Sequence, residues 1–389
     1  MGHTAWDEFW WNNITGARTI VEQVAMSLME NKIVALKVPS DLPWRHSMRS
    51  EIQTAFNERS DVRGIIIESV DAVDDGLDAV DPGQFILQRY ALPSVRTGYR
   101  AKARKTIQSY LSECHVLHNR IIWVKGLGGQ TARKWAQFCR GFAPKTAEEG
   151  LFVLEFHGEL QLPESKCIAY IDFDQYVSDY NVQLFNSFLL EEERRYSDVW
   201  KRYISAAAAV VCGVDAEVSE RLLLGTDFHT DTIIEGLQRV ADSGDFDLRG
   251  MEQSSGHPLW YLRNHRLDEL SRRIWTAQIQ VLFPMIELER RKLIEKWWAS
   301  IRDALSMYRV EQFGVVLRDP AEVELGTLSY MMRCKVAADK RMLYVPDEAD
   351  RQRICFLHNC RNKLAHMNCC TPSEVSTLLD HSLPQLSEK

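Results

Sequence analysis

The chain has 389 residues, long for one hydrophobic core, and at about 150 residues per domain it divides into two or three units. With 45% hydrophobic and 26% charged residues it lies in the ordinary globular range, which excludes wholesale disorder and leaves only the last few residues outside a fold. A net charge of -7 excludes a surface that binds nucleic acid broadly, because neutralising phosphates needs Lys and Arg in excess; only a local basic groove stays open.

In chain order, Met1 to Trp11 carries aromatics and acids where a secretory signal needs a basic start and an apolar run. Trp6, Phe9, Trp10 and Trp11 read as a helix that docks on a partner or on the chain's own core. Ile20, Val24, Ala25 and Leu28 recur at helical spacing between Ile14 and Glu30, and the run Ile33 to Val38 that follows reads as a strand. A turn, Pro39 to Pro43, leads into a helix over His46 to Asn57 and a strand over Gly64 to Ser69. Further strands fall at Arg120 to Val124, Leu151 to Phe156 and Cys167 to Ile171, with a helix over Thr131 to Phe142. Nearly continuous apolar strands alternating with helices indicate an α/β domain, residues 1–190, around a buried and largely parallel sheet.

Beyond Asp179 the β signal fades and helices follow: Ser197 to Cys212, Asp215 to Leu224, Thr230 to Ala241, Leu259 to Gln280 and Pro284 to Leu305. The apolar run Ile204 to Val214 is about half of what spans a bilayer, so no membrane contact is expected. The last helices are Val323 to Val336, Asp347 to Met367 and Ser373 to Leu379, with Asp319-Pro320 and Thr371-Pro372 as start signals. The all-α part divides into a middle domain, 191–283, and a C-terminal helical bundle, 284–389.

The loop after the first strand, Pro39-Ser40-Asp41-Leu42-Pro43-Trp44-Arg45, has no glycine and no Lys-Ser/Thr pair, so a phosphate-binding loop is absent and ordinary ATP hydrolysis is not expected. The sheet followed by helices nevertheless resembles AAA+ or STAND-type ATPase modules that have lost this loop. Lys125-Gly126-Leu127-Gly128-Gly129 is placed to cradle an anion at a helix start, though such glycines are common in strand-to-helix turns. Asp172 and Asp174 sit where sheet-edge carboxylates hold metal, or where one of them N-caps a helix.

Cys355, His358, Cys360, His366, Cys369 and Cys370 are dense, yet no C-x2-C pair faces a second one, so the thiols read as packing and neither metal nor cofactor is expected. The nine cysteines show no framework spacing, which points to reduced thiols and a soluble, cytosolic chain.

Leu357, Cys360, Leu364 and Met367 form an apolar stripe at i, i+3, i+7 and i+10 that should face a bundle core. Arg361 lies about 100° off that stripe, and His366 follows it by five residues, about 7.5 Å along the axis. Asn362 and His366 are four apart, on one face, where the amide can orient the imidazole.

The run Arg361-Asn362-Lys363-Leu364-Ala365-His366, with its R-x4-H spacing and the acidic start Glu322 to Leu328 upstream, resembles the HEPN superfamily over residues 284–380. The resemblance implies a homodimer whose dyad brings two Arg and two His to one cleft, and RNA, transfer RNA included, as a substrate cut without metal. His366 would move protons, Arg361 would stabilise the phosphorane and Asn362 would hold the histidine. The products would be a 2′,3′-cyclic phosphate and a 5′-hydroxyl. It further implies a prokaryotic antiviral or toxin-like effector. The alternative is a non-enzymatic scaffold or sensor subunit of a defence or regulatory complex, whose HEPN-like domain dimerises or docks on a protein partner.

Overall fold

The computed structural model describes residues 6–59, 65–99, 105–142, 149–159, 166–251, 256–337 and 340–381. It forms two compact units, Met1–Phe185 with Val214–Glu217 and Asn186–Gly213 with Val218–Lys389.

The first unit is an α/β layer structure. Helices α1 (Trp6–Asn13) and α2 (Thr15–Met29) precede β1 (Ile33–Lys37), α3 (Arg45–Arg59) and β2 (Ile66–Asp71). Three short helices follow, α4 (Pro82–Tyr90), α5 (Pro93–Gly98) and α6 (Ile107–Glu113). Then come β3 (Arg120–Leu127), α7 (Gly129–Arg140), β4 (Leu151–Phe156), β5 (Ile168–Asp172) and α8 (Asp179–Leu189), whose residues from Asn186 on belong to the second unit. The N-terminal aromatic cluster serves the chain's own core: Trp10 and Trp11 are fully buried, and Trp6, Phe9, Trp10 and Trp44 ring Phe185 at centroid distances of 5.5–6.4 Å.

All five strands are parallel, in the order β2-β3-β4-β1-β5. The inner strands β1 and β4 are covered on both faces, which is why Ile33 to Leu36 and Leu151 to Leu154 read as unbroken apolar runs. The connection leaving β1 crosses to the β2 edge, and the one leaving β4 passes β1 to reach β5. The connections from the adjacent strands β1 and β4 thus run in opposite directions along the sheet, the switch point at whose C-terminal ends open parallel sheets form a crevice. The expected strand over Gly64 to Ser69 runs instead from Ile66 to Asp71, and Gly64 lies outside the described residues.

The second unit is helical. It contains α9 (Asp198–Cys212), α10 (Ala216–Gly225), α11 (Ile233–Asp242), α12 (Pro258–Arg263), α13 (Leu267–Lys296) and α14 (Trp298–Met307). After a hairpin, β6 (Glu311–Gln312) and β7 (Val315–Val316), come α15 (Leu325–Arg333), a second hairpin, β8 (Lys335–Ala337) and β9 (Lys340–Arg341), α16 (Glu348–Ala365) and α17 (Pro372–His381). The spine is α13, which packs against α9, α16 and α17.

Two expectations change here. The helices expected over Leu259 to Gln280 and Pro284 to Leu305 are joined through Pro284 in α13, because Pro284 and Gln280 face solvent and water can satisfy the carbonyl that the proline leaves unpaired, while the breaks fall instead at 264–266 and at Trp297. The helix expected to reach Val336 stops at Arg333, where the chain turns into β8. Among the described residues no helix is long and apolar enough to cross a membrane.

Candidate functional site

Helix α16 starts on Asp347, whose carboxylate accepts the backbone N–H of Ala349 and Asp350. Ile354, Leu357, Cys360 and Leu364 form its buried stripe. Met367, placed on that stripe by spacing, is not part of it: the helix ends at Ala365, and Met367 is exposed with φ of 58°. The end is a Schellman closure, in which Asn368 N–H donates to Lys363 O (2.8 Å) and Met367 N–H donates to Leu364 O (3.3 Å). Trp275 Nε1 of α13 also donates to Leu364 O, at 2.6 Å. The closure leaves His366 as the C-cap residue, exposed, its imidazole without a hydrogen-bond partner among the described residues.

Arg361 is half-buried and donates to Glu324 Oε2 at 3.2 Å. Glu324 is the residue before the first turn of α15, so its carboxylate lies at the positive end of that helix and beside a guanidinium. The amide of Asn362 does not reach His366. Its Nδ2 donates to Nε2 of His358, one turn back, at 2.9 Å. Asn362 is four residues from both histidines, but α16 ends at Ala365, so only His358 keeps the helical i, i−4 relation to it; Gly326 of α15 faces that ring, where an added Cβ would stand 3.3 Å from Nε2.

Burial pulls the pKa of His358 below its ordinary value, and the positive charges of Arg333 and Arg361 add to the effect. The neutral ring that results suits a Nε2 that accepts from Asn362. The residues brought together are thus Arg361, Asn362, His358, Glu324 and, at the end of α15, Arg333, which donates to the Ser329 carbonyl and hydroxyl. Sequence reasoning missed the role of His358, although its i, i+4 spacing from Asn362 was visible. It also missed Arg333, for which no local signal exists.

The segment after His366 is clamped. Buried Gln278 accepts Cys370 N–H (2.7 Å) and donates to Cys370 O (3.1 Å) and the Tyr203 hydroxyl (3.2 Å). Lys363 pairs with Glu374 at 2.6 Å, and Arg353 with Glu289 at 2.6 Å. Cys360 and Cys370 are buried free thiols, and Cys369 donates to Ser271 O. Among the described residues no three His, Cys, Asp or Glu side chains converge to hold a metal.

The crevice of the sheet is filled by the chain itself. Glu155 of β4, fully buried, accepts from Trp123 Nε1 (2.8 Å) and Arg49 (3.2 Å) and pairs with Arg45 (3.4 Å). Arg45 also donates to the carbonyls of Pro39 and Ser40, closing the loop after β1 over itself. Asp172 and Asp174 are spent on Lys37, with Nζ at 3.2 and 3.4 Å, and Glu159 joins them at 3.2 Å. Burial alone lowers the pKa of Lys37, but hydrogen bonds to Asp172 and Glu159 outweigh it and hold the ammonium well above its ordinary range. The carboxylates therefore already neutralise a cation, and Asp172 in addition caps the turn Phe173–Gln175. Lys125 is paired with Asp71, its neighbour across the strands, at 3.3 Å.

No protein-family model matches the chain, and no curated protein matches it.

Proposed function

We propose that residues 284–380 are a HEPN-like domain and that the chain is an antiviral or toxin-type effector that cleaves RNA without metal, as a homodimer. The observation that carries the reading is the end of α16: an exposed imidazole at His366 with no hydrogen-bond partner among the described residues, five residues beyond a half-buried guanidinium paired with Glu324. The base is open to a substrate, and the cation is reached once a phosphate takes the place of Glu324. In the reaction, the ribose 2′-oxygen attacks the adjacent phosphorus, and one His366 takes its proton. Arg361 stabilises the added negative charge, the P–O5′ bond breaks, and His366 of the second copy protonates O5′. Asn362, engaged with His358, positions that ring rather than the base.

The first unit reads as an ATPase-like module that no longer handles nucleotide. Its parallel order β5-β1-β4-β3-β2 is one that such modules use, and the Arg45–Glu155–Arg49 group stands at the crevice where phosphates would bind. A second reading, the scaffold or sensor subunit, draws on two contacts: Glu324 neutralises Arg361, and His358 occupies the amide of Asn362, so both side chains already serve the fold.

The test is incubation of purified protein with transfer RNA and mixed cellular RNA in EDTA, beside His366→Ala and Arg361→Ala. Fragments that vanish in both variants support the nuclease. Intact RNA throughout, or cutting that survives both changes, favours the scaffold.

A further inference from the structure

The chain is acidic overall, yet residues 333–341 hold four cations, Arg333, Lys335, Lys340 and Arg341, against one acid, Asp339. Lys335, Lys340 and Arg341 are exposed on the β8–β9 hairpin and have no carboxylate partner among the described residues. The guanidinium of Arg333 is spent on neutral groups of Ser329, so its charge is also unbalanced. Two large rings flank these cations: Tyr330 on the last turn of α15 and Tyr344 just after β9, 55% and 71% exposed. Exposed aromatic area of that size is not core. The hairpin is fixed to α15, since Met342 N–H donates to Cys334 O (2.9 Å) and Leu343 N–H to Met331 O (3.0 Å). The base of the arm is thus fixed by backbone pairing.

We propose that this β8–β9 arm, with Tyr330 and Tyr344, is a binding site for single-stranded RNA. Lys335, Lys340 and Arg341 contact phosphates while the two tyrosines stack on bases. Stacking needs unpaired bases, which is why the geometry selects a single strand over a duplex, whose base faces are occupied. The arm starts at Arg333, at the end of α15, the helix that packs against α16. The binding claim stands on the arm alone; that the bound strand is the one cut rests on the nuclease reading above.

The test uses the full chain carrying His366→Ala, in EDTA, and a fluorescein-labelled twelve-nucleotide oligouridine followed by anisotropy. Three phosphate contacts give a log–log salt slope of about -2, so affinity should fall roughly 20-fold between 50 and 200 mM KCl. Combined Lys335→Ala, Lys340→Ala and Arg341→Ala should weaken binding and flatten that slope. Tyr344→Ala should cost about 5-fold or more, and Tyr344→Phe should restore it. Exposed positions leave the melting temperature unchanged, which controls for folding. Equal binding by the triple variant overturns the proposal. So does displacement of the RNA by polyglutamate of equal charge together with indifference to Tyr344→Ala, which would mark a surface for an acidic protein. A chain that binds through the arm but never cuts removes the nuclease reading and leaves the arm. His366-dependent cutting with a KM unmoved by the arm variants removes the arm.

Discussion

Replacing Gln278 with Leu removes three buried hydrogen bonds at once without opening a large cavity. The side chain is 2% exposed, and two of its bonds go to the N–H and C=O of Cys370, in the segment that follows His366. Leu fills much of the volume but leaves both backbone groups of Cys370 buried and unpaired, at about 1–3 kcal/mol each. The local cost is therefore about 2–6 kcal/mol, and the segment should open to water before the unit unfolds. Hydrogen exchange read by mass spectrometry on a peptide spanning 367–373 should speed up at least about 30-fold, the equivalent of about 2 kcal/mol. A peptide over β4, in the other unit, should exchange as before. Unchanged exchange across 367–373 would show that Gln278 does not hold the segment and that the end of α16 is fixed by Trp275 and the Schellman closure alone.

Glu155→Leu strands Arg49 and the Trp123 N–H beside a buried apolar group, and should destabilise the α/β unit by about 3–5 kcal/mol. A loss below about 1 kcal/mol in thermal or urea melting would contradict the buried pairing. His358 has a depressed pKa, so the unfolded chain takes up the proton first as pH falls below about 6.5. Its contribution to stability is complete above that value and is lost as pH falls toward the folded pKa. The melting temperature should drop more from pH 7.5 to 5.5 in the natural chain than in His358→Gln, and equal drops would refute this. Met367→Gly relieves a left-handed conformation that costs about 1 kcal/mol, partly offset by the freedom glycine adds to the unfolded chain, whereas Met367→Val adds strain. Calorimetry should rank glycine above methionine above valine, and the reverse order would show that the closure is not under strain.

The apolar runs of β1 and β4 announce themselves because both faces are covered, and Asp347 marks the start of α16 by its side-chain chemistry. What stayed hidden depends on partners distant in sequence. The helices α4 to α6 are short, and their Pro and Asp or Thr starts lie amid polar residues with little periodicity. Pro284 reads as a break until its solvent-facing position is known. The stop of α15 at Arg333 is set by backbone pairing of Met342 with Cys334, which no local pattern encodes. The R-x4-H spacing brought out Arg361 and His366, but Asn362 has two equally spaced histidines, and it meets His358 because the helix ends at Ala365, before His366.

The most direct test of the proposed chemistry is the identity of the ends left on RNA cut in EDTA by the purified chain. Attack by the 2′-oxygen leaves a 2′,3′-cyclic phosphate, which resists phosphatase until acid opens it, and a 5′-hydroxyl that a kinase labels without prior treatment. These ends, absent when His366→Ala is used, are the expected result. Fragments with 3′-hydroxyl and 5′-phosphate ends, or no fragments from any RNA tried, would contradict a nuclease built on Arg361 and His366.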